Sequence, residues 1–182
     1  MYFDMIVAGF GGQGVMFIGN LVAYAAMGEG HNVTYMPVYG VEMRGGTANC
    51  TVVVSDKAIG SPITRHPVCS VIMNKPSLVK FGPLMKKNGL LLVNASLIKF
   101  KDVKIKGPEI MMVPTIELAK EVGNDRLGNM IILGVLAEKT GVASLESLTQ
   151  AMRKNLPERT HKMIPANVRA MERGAEFARN GK

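Results

Sequence analysis

The chain predicts an α/β fold: a single Rossmann-like domain built on an open, largely parallel sheet, with helices on both faces and a helical C-terminal third. Three observations carry that expectation. Short apolar, β-rich runs alternate with helix-compatible segments through the first two thirds of the 182 residues, the pattern of βαβ units. A glycine-rich turn follows the first run and opens directly into a helical segment. The last third has apolar residues spaced by three and four. One domain over residues 1–182 is the simplest partition, since a chain of this size buries about 70% of its unfolded surface without disulfides or structural metal.

The elements follow in order. "YFDMIVAG" reads as a buried first strand ending at glycine. From Gln13 to about Met27 the residues are small or apolar on every side, which suits a helix packed both on the sheet and on something else. "HNVTYMP" is a second strand closed by Pro37, "YGVEMRGGTA" a loop with three glycines, and "NCTVVVS" a third strand followed by the turn "SDKAIGSP". "VCSVIMN" is buried strand, after which Asn74 caps a short helix with Pro76 in its first turn. "NGLLLVN" and "EIMMVPT" complete the strands. Helices are expected over 115–122, over 127–139 with Gly141 at the end, and over 144–154 with Ser144 as cap. A last helix opens at Pro165 and aligns Val168, Met171, Ala175 and Ala178.

Composition narrows the function classes. The net charge is +8, and the excess is concentrated: residues 75–106 hold eight lysines and one aspartate, and residues 153–182 hold eight basic and three acidic side chains. Nucleic acid is not the expected partner, because there is no Trp, aromatics are 5%, and no zinc-finger or RNP signature accompanies the lysines. An acidic partner or a polyphosphate ligand fits the charge better, beside ordinary solvated lysine. Cys50 and Cys69 have neither a Cys-x-x-Cys spacing nor a nearby histidine cluster, so no zinc or iron–sulfur site is expected within the chain. Sparse cysteine and the lack of a basic leader point to a cytoplasmic setting. Residues 5–28 carry no charge, yet their six glycines with Gln13 and Asn20 argue against a membrane span.

Gly9, Gly11 and Gly14 match the dinucleotide spacing G-x-G-x-x-G, and Gly12 and Gln13 complete the turn. Such a turn aims backbone N–H groups and a helix dipole at one spot, which favours phosphate. A dinucleotide site also needs an acid at the end of the second strand to hold the ribose hydroxyls. Here that strand ends Thr34, Tyr35, Met36, Pro37, and no acid is present. No P-loop lysine follows either. Tight strand-to-helix packing is therefore at least as good an explanation of these glycines as phosphate, and NAD is disfavoured. The second glycine loop places Glu42 and Arg44 beside Gly45 and Gly46, followed by Thr47 and Asn49. Arg44 is suited to bidentate contact with carboxylate or phosphate; a surface pair with Glu42 is the plainer alternative.

With these segments in hand, the chain resembles the gamma subunit of 2-oxoacid:ferredoxin oxidoreductases. The resemblance rests on "GFGGQGV", "YGVEMRGGTANCTVVVS", "LLVNASLI" and "NDRLGNMIILG", in the family's order over nearly the whole chain. "EMRGGTANC" followed by "GSP" looks most like the 2-oxoglutarate form, with pyruvate, 2-ketoisovalerate and indolepyruvate types as alternatives. The resemblance implies a cytoplasmic hetero-oligomer with alpha, beta and ferredoxin-like delta subunits, in which a 2-oxo acid is decarboxylated to acyl-CoA and electrons pass to ferredoxin. Thiamine diphosphate, Mg and the clusters would reside on other subunits, with no catalytic or metal residue and no bound cofactor on this one. Gly9, Gly11, Gly12, Gln13, Gly14, Arg44, Gly45, Gly46, Thr47 and Asn49 would form either a coenzyme A site or a subunit-contact surface, with the two glycine turns side by side. A stand-alone α/β ligand-binding or regulatory domain is the alternative of another class. Whether neighbouring genes encode companion chains separates the two.

One outcome follows from the missing acid. Calorimetric titration of the purified chain with NAD is expected to show no binding at micromolar concentrations; binding abolished by Gly11→Val would contradict it.

Overall fold

The computed structural model describes residues 1–40 and 46–181. Their strands are β1 (Tyr2–Phe10), β2 (Asn32–Tyr39), β3 (Thr47–Ser55), β4 (Cys69–Ile72), β5 (Leu90–Asn94) and β6 (Glu109–Val113). They form one sheet in the order β2-β3-β1-β4-β5-β6. β1 pairs parallel with β4, β4 with β5, and β5 with β6. β3 pairs antiparallel with both β1 and β2. The sheet is thus mostly parallel with an antiparallel hairpin on one side. The hairpin has a simple cause: only residues 40–46 join β2 to β3, and a parallel crossover needs a dozen residues or more. β3 therefore inserts between β1 and the strand that follows α1 (Val15–Gly28). Pro37 does not close β2, which continues to Tyr39. β2 is an edge strand, where a residue without an N–H is tolerated on the outward side.

Alternation along the strands sorts the core into two unequal halves. Met5, Val7, Cys50, Val52, Val54, Cys69, Val71 and Leu92 face α1, α3 (Thr115–Glu121), α4 (Gly128–Thr140), α5 (Leu145–Asn155) and α6 (Ile164–Asn180). Ile6, Ala8, Ile72, Leu91 and Val93 face the other way, onto Leu78 and Phe81 of α2 (Lys75–Phe81) and onto Ile98. Burial pushes the Cys50 thiol up to about 12 and raises Cys69 further, so both behave as small core side chains. On the thinner face Asp4, 3% exposed, accepts from the Val68 N–H at 2.8 Å and the Thr64 hydroxyl at 2.7 Å. That pins the connection before β4 to the centre of the sheet.

The caps form where the side chains require them. Asn74 Oδ1 accepts from the Ser77 N–H at 2.9 Å, and Ser144 Oγ accepts from the Ser147 N–H at 3.1 Å. Gly141 ends α4 and Pro165 lies in the first turn of α6. α4 is buried from Met130 through Ala137, held against α6 by an unusually close approach. A Cβ on Gly134 would lie 1.9 Å from the Met171 carbonyl oxygen, and one on Gly174 would lie 2.0 Å from that of Ile131. No helix among the described residues is long and apolar enough to cross a membrane.

This contact is directly testable. Gly134→Ala forces the two helices apart and is expected to lower unfolding stability by at least about 2 kcal/mol, read from urea denaturation. Gly28→Ala, with open space at the added carbon, should leave stability unchanged or raise it by up to about 1 kcal/mol. Equal effects would contradict the close-packing account.

Candidate functional site

The strand order changes direction at β1. The chain leaves β1 through α1 towards the hairpin, whereas β4, β5 and β6 extend to the other side. At such a switch point the connections diverge and leave a crevice at the carboxyl ends of the strands. A cleft of about 210 Å³ lies there. It gathers Gly12, Gln13 and Gly14 after β1, Met73 after β4, Asn94 and Leu97 from β5 onward, Thr115 and Ile116 after β6, and Asp125, Arg126, Gly128 and Asn129 around the start of α4.

An amide network holds the cleft wall. Gln13 Oε1 accepts from the Phe10 N–H at 2.7 Å and from the Asn74 side-chain amide at 3.2 Å, while Gln13 Nε2 donates to the Met73 carbonyl at 3.3 Å. Asn94 Nδ2 donates to that same carbonyl at 3.4 Å. Asn94 Oδ1 accepts from the Ser96 N–H at 3.1 Å and the Thr115 hydroxyl at 2.8 Å. Asn94 and Thr115 are buried, 2% and 1% exposed, so nearly every polar atom there is matched. At the rim the Ser96 hydroxyl donates to Glu117, which holds that carboxyl below its usual range.

The sequence-predicted residues divide. Gly9 is a packing glycine: a Cβ would lie 2.6 Å from Gln13 Oε1 and 2.9 Å from the Met73 Cβ. Gly14 is the N-cap of α1 with φ 75°, and a Cβ there would lie 2.4 Å from the Asn129 amide nitrogen, so the turn fits only glycine. Gly12, also at positive φ, is exposed with open space around it. The Gly11 N–H donates to the Gly46 carbonyl at 3.0 Å, so the first glycine turn and the described end of the second touch, as expected from the common carboxyl edge. Thr47 and Asn49 lie on β3 opposite Phe10 and Ala8 and are not among the cleft residues. Glu42, Arg44 and Gly45 lie outside the described residues. Gln13 lines the cleft, but its oxygen and one amide proton are already committed to its own fold.

Chemically, the cleft offers N–H groups and few charges. α1 starts with no side-chain cap and no acid in its first turn; Arg126 supplies a cation and Asp125 an opposing carboxylate. The second strand of a dinucleotide site is displaced here, because β3 separates β2 from β1. Asn94, Thr115, Arg126 and Asn129 were not singled out from sequence. Their signal lay in "LLVNASLI" and "NDRLGNMIILG", segments distinctive as wholes but without a chemistry that names the residue. Among the described residues no cluster of three His, Cys, Asp or Glu side chains could hold a metal.

Comparison with known proteins places this geometry in context. A model of the family described as pyruvate ferredoxin/flavodoxin oxidoreductase matches residues 4–177. The chain is 37% identical over 175 residues to the ketoisovalerate oxidoreductase subunit VorA of Methanothermobacter thermautotrophicus, covering 95% of this chain but only 36% of the length of that subunit. It is 30% identical over 184 residues to the 2-oxoglutarate synthase subunit KorC of the same organism, covering 98% of this chain and 96% of that one. The crystal structure of a keto/oxoacid ferredoxin oxidoreductase gamma subunit from Geobacter sulfurreducens matches with a TM-score of 0.80 at 26% identity, over 98% of this chain and 99% of that chain.

The amide network sets a stability expectation. Asn94→Ala leaves the Thr115 hydroxyl and the Ser96 N–H without their acceptor and is expected to cost about 2–3 kcal/mol, read as a fall in melting temperature of roughly 5–10 °C for a chain of this size. A change within error of the parent would show that the network is dispensable.

Proposed function

The chain belongs to the pyruvate ferredoxin/flavodoxin oxidoreductase family, and from that premise we propose that it is the gamma subunit of a 2-oxoacid:ferredoxin oxidoreductase, supplying binding and orientation rather than redox chemistry. The observation that carries the reading is the alignment with KorC, which spans almost the full length of both chains. Thiamine diphosphate, Mg and iron–sulfur clusters belong on companion alpha, beta and delta subunits in this reading, with ferredoxin as acceptor. The two thiols here are buried with raised pKa values and are poor cluster ligands.

The cleft fits one substrate of such an enzyme. The uncapped start of α1, the exposed Gly12 and the Arg126 guanidinium suit the phosphates of coenzyme A. Coenzyme A supplies the thiol that accepts the acyl group. This chain's part is to hold the phosphates at the carboxyl edge, with Gln13 and Asn94 keeping that edge rigid. Arg44 lies outside the described residues; in this reading it serves as a ligand or companion-subunit contact.

2-Oxoglutarate is the substrate favoured by the KorC alignment and by the "EMRGGTANC" segment. A second reading, a branched 2-oxo acid, is favoured by the higher identity to VorA. Both are tested on the enzyme purified with its companion chains. Viologen reduction should require coenzyme A and be faster with 2-oxoglutarate than with 2-ketoisovalerate, and the isolated chain should give none. Arg126→Ala should raise the KM for coenzyme A about tenfold or more without disturbing assembly; Arg44→Ala should do the same or abolish co-purification. Activity from the isolated chain, or an assembled enzyme that ignores coenzyme A, would overturn the reading.

A further inference from the structure

The thinner face of the sheet collects the lysines of two neighbouring segments. α2 and the turn before β5 bring Lys75, Lys80, Lys86 and Lys87. The connection from β5 to β6 brings Lys99, Lys101, Lys104 and Lys106. Three contacts set these segments side by side. Lys75 Nζ donates to Asp102 Oδ1 at 3.0 Å, a Cβ on Gly82 would lie 2.9 Å from Ile105 Cδ1, and one on Gly107 would lie 3.1 Å from Lys87 Cα. Eight exposed lysines therefore share one surface with a single aspartate. That carboxyl is held below its usual range by its hydrogen bond to Lys75 and by the nearby charges of Lys101 and Lys99.

Large apolar side chains stand among these charges. Val79 and Phe100 are each 70% exposed; Val79 adjoins Lys80 in the chain, and Phe100 lies between Lys99 and Lys101. Elsewhere the chain pairs its charges internally, Arg173 with Glu121 at 2.7 Å and Arg179 with Glu138 at 2.9 Å. On the lysine face only Lys75 has a carboxylate partner among the described residues. Exposed apolar groups flanked by unpaired charge of one sign have the anatomy of a protein interface, an apolar centre inside a polar rim.

We propose that this lysine face docks an acidic surface of a companion chain, whose carboxylates meet the lysines and whose apolar patch receives Val79 and Phe100. The inference rests on the reading of the chain as one subunit of an oxidoreductase. The charge selects the occupant. Eight lysines against one aspartate are complemented only by a negative surface. A second copy related by a two-fold axis would set lysine against lysine. A polyphosphate or nucleic acid would meet the lysines and leave Val79 in water, and residues 75–106 hold no arginine, the side chain best matched to phosphate. The chain also spans only 36% of VorA, so in that relative the matching unit is tethered to further protein.

Lysine labelling with a small acylating reagent tests this, compared between the purified chain and the enzyme purified with its companion chains. Lys99, Lys101, Lys104 and Lys106 should react at least about tenfold more slowly in the assembled enzyme, because a packed interface excludes the reagent. The reference is Lys120 on α3 and Lys154 on α5, exposed lysines on helices of the opposite face. Combining Lys99→Glu, Lys101→Glu, Lys104→Glu and Lys106→Glu should leave the melting temperature of the chain unchanged, since all four side chains are exposed. The same variant should bind its companions at least about tenfold more weakly, because carboxylates now face carboxylates. The four corresponding changes to arginine keep the charge and should assemble like the parent. An assembled enzyme whose lysines on both faces label alike, or a glutamate variant that assembles normally, would overturn this surface and leave the subunit reading standing. Nucleic acid retained by the parent and lost from the glutamate variant, with assembly unchanged, would overturn it in favour of a polyanion. A chain that never co-purifies with companions would overturn both readings.

Discussion

The carbonyl of Met73 is the point on which the carboxyl edge of this molecule depends. It accepts from Gln13 on one side and from Asn94 on the other, while the N–H of the same residue donates to Ala8 at 2.8 Å. The backbone of this one residue thus ties together the ends of β1, β4 and β5, where the diverging connections would otherwise leave unpaired backbone in a hollow. Side-chain amides are suited to the task because each carries donor and acceptor together and no charge needs compensation. The cleft can then be polar without being strongly charged.

The unequal halves of the core follow from the topology. The first connection, from β1 to β2, lays α1 on one face, and α4, α5 and α6 join it there. Among the described residues the other face receives α2, Met85 and the stretches around Ile98 and Ile105. A helix as uniformly apolar as α4 is stable only when enclosed, and the paired glycines with α6 enclose it. On the thin face, burial is completed by a connection held through Asp4, a carboxylate that keeps its partners in the backbone and in Thr64. The lysine-rich stretch lies on this side, with its eight lysines all exposed and only Lys75 paired among the described residues, to Asp102 at 3.0 Å.

Family membership and cleft geometry bear on different questions. The alignments describe the whole chain and say which assembly it resembles. The cleft gathers the ends of β1, β4, β5 and β6 and the start of α4 at one carboxyl edge. The first glycine turn meets the described end of the second through Gly11 and Gly46, at the same edge as the amide network.

The sequence by itself determined the succession of strands and helices and most of their ends. Asn74, Ser144, Gly141 and Pro165 act through hydrogen bonds and backbone conformations closed within one turn of the chain, and such local devices need no knowledge of what packs nearby. The sequence also disfavoured a dinucleotide site, since a missing acid is visible without a structure. What it did not contain was the placement of β3 between β1 and β2 as part of an antiparallel hairpin. Only the tertiary structure decided that Gln13 ties its turn to Met73, that Asn94 meets Thr115, and that Asn129 abuts Gly14. Each of those contacts joins residues 21 to more than 100 positions apart. Their formation depends on strand order and register, which arise from the packing of the whole sheet and leave no periodic trace in the residues themselves.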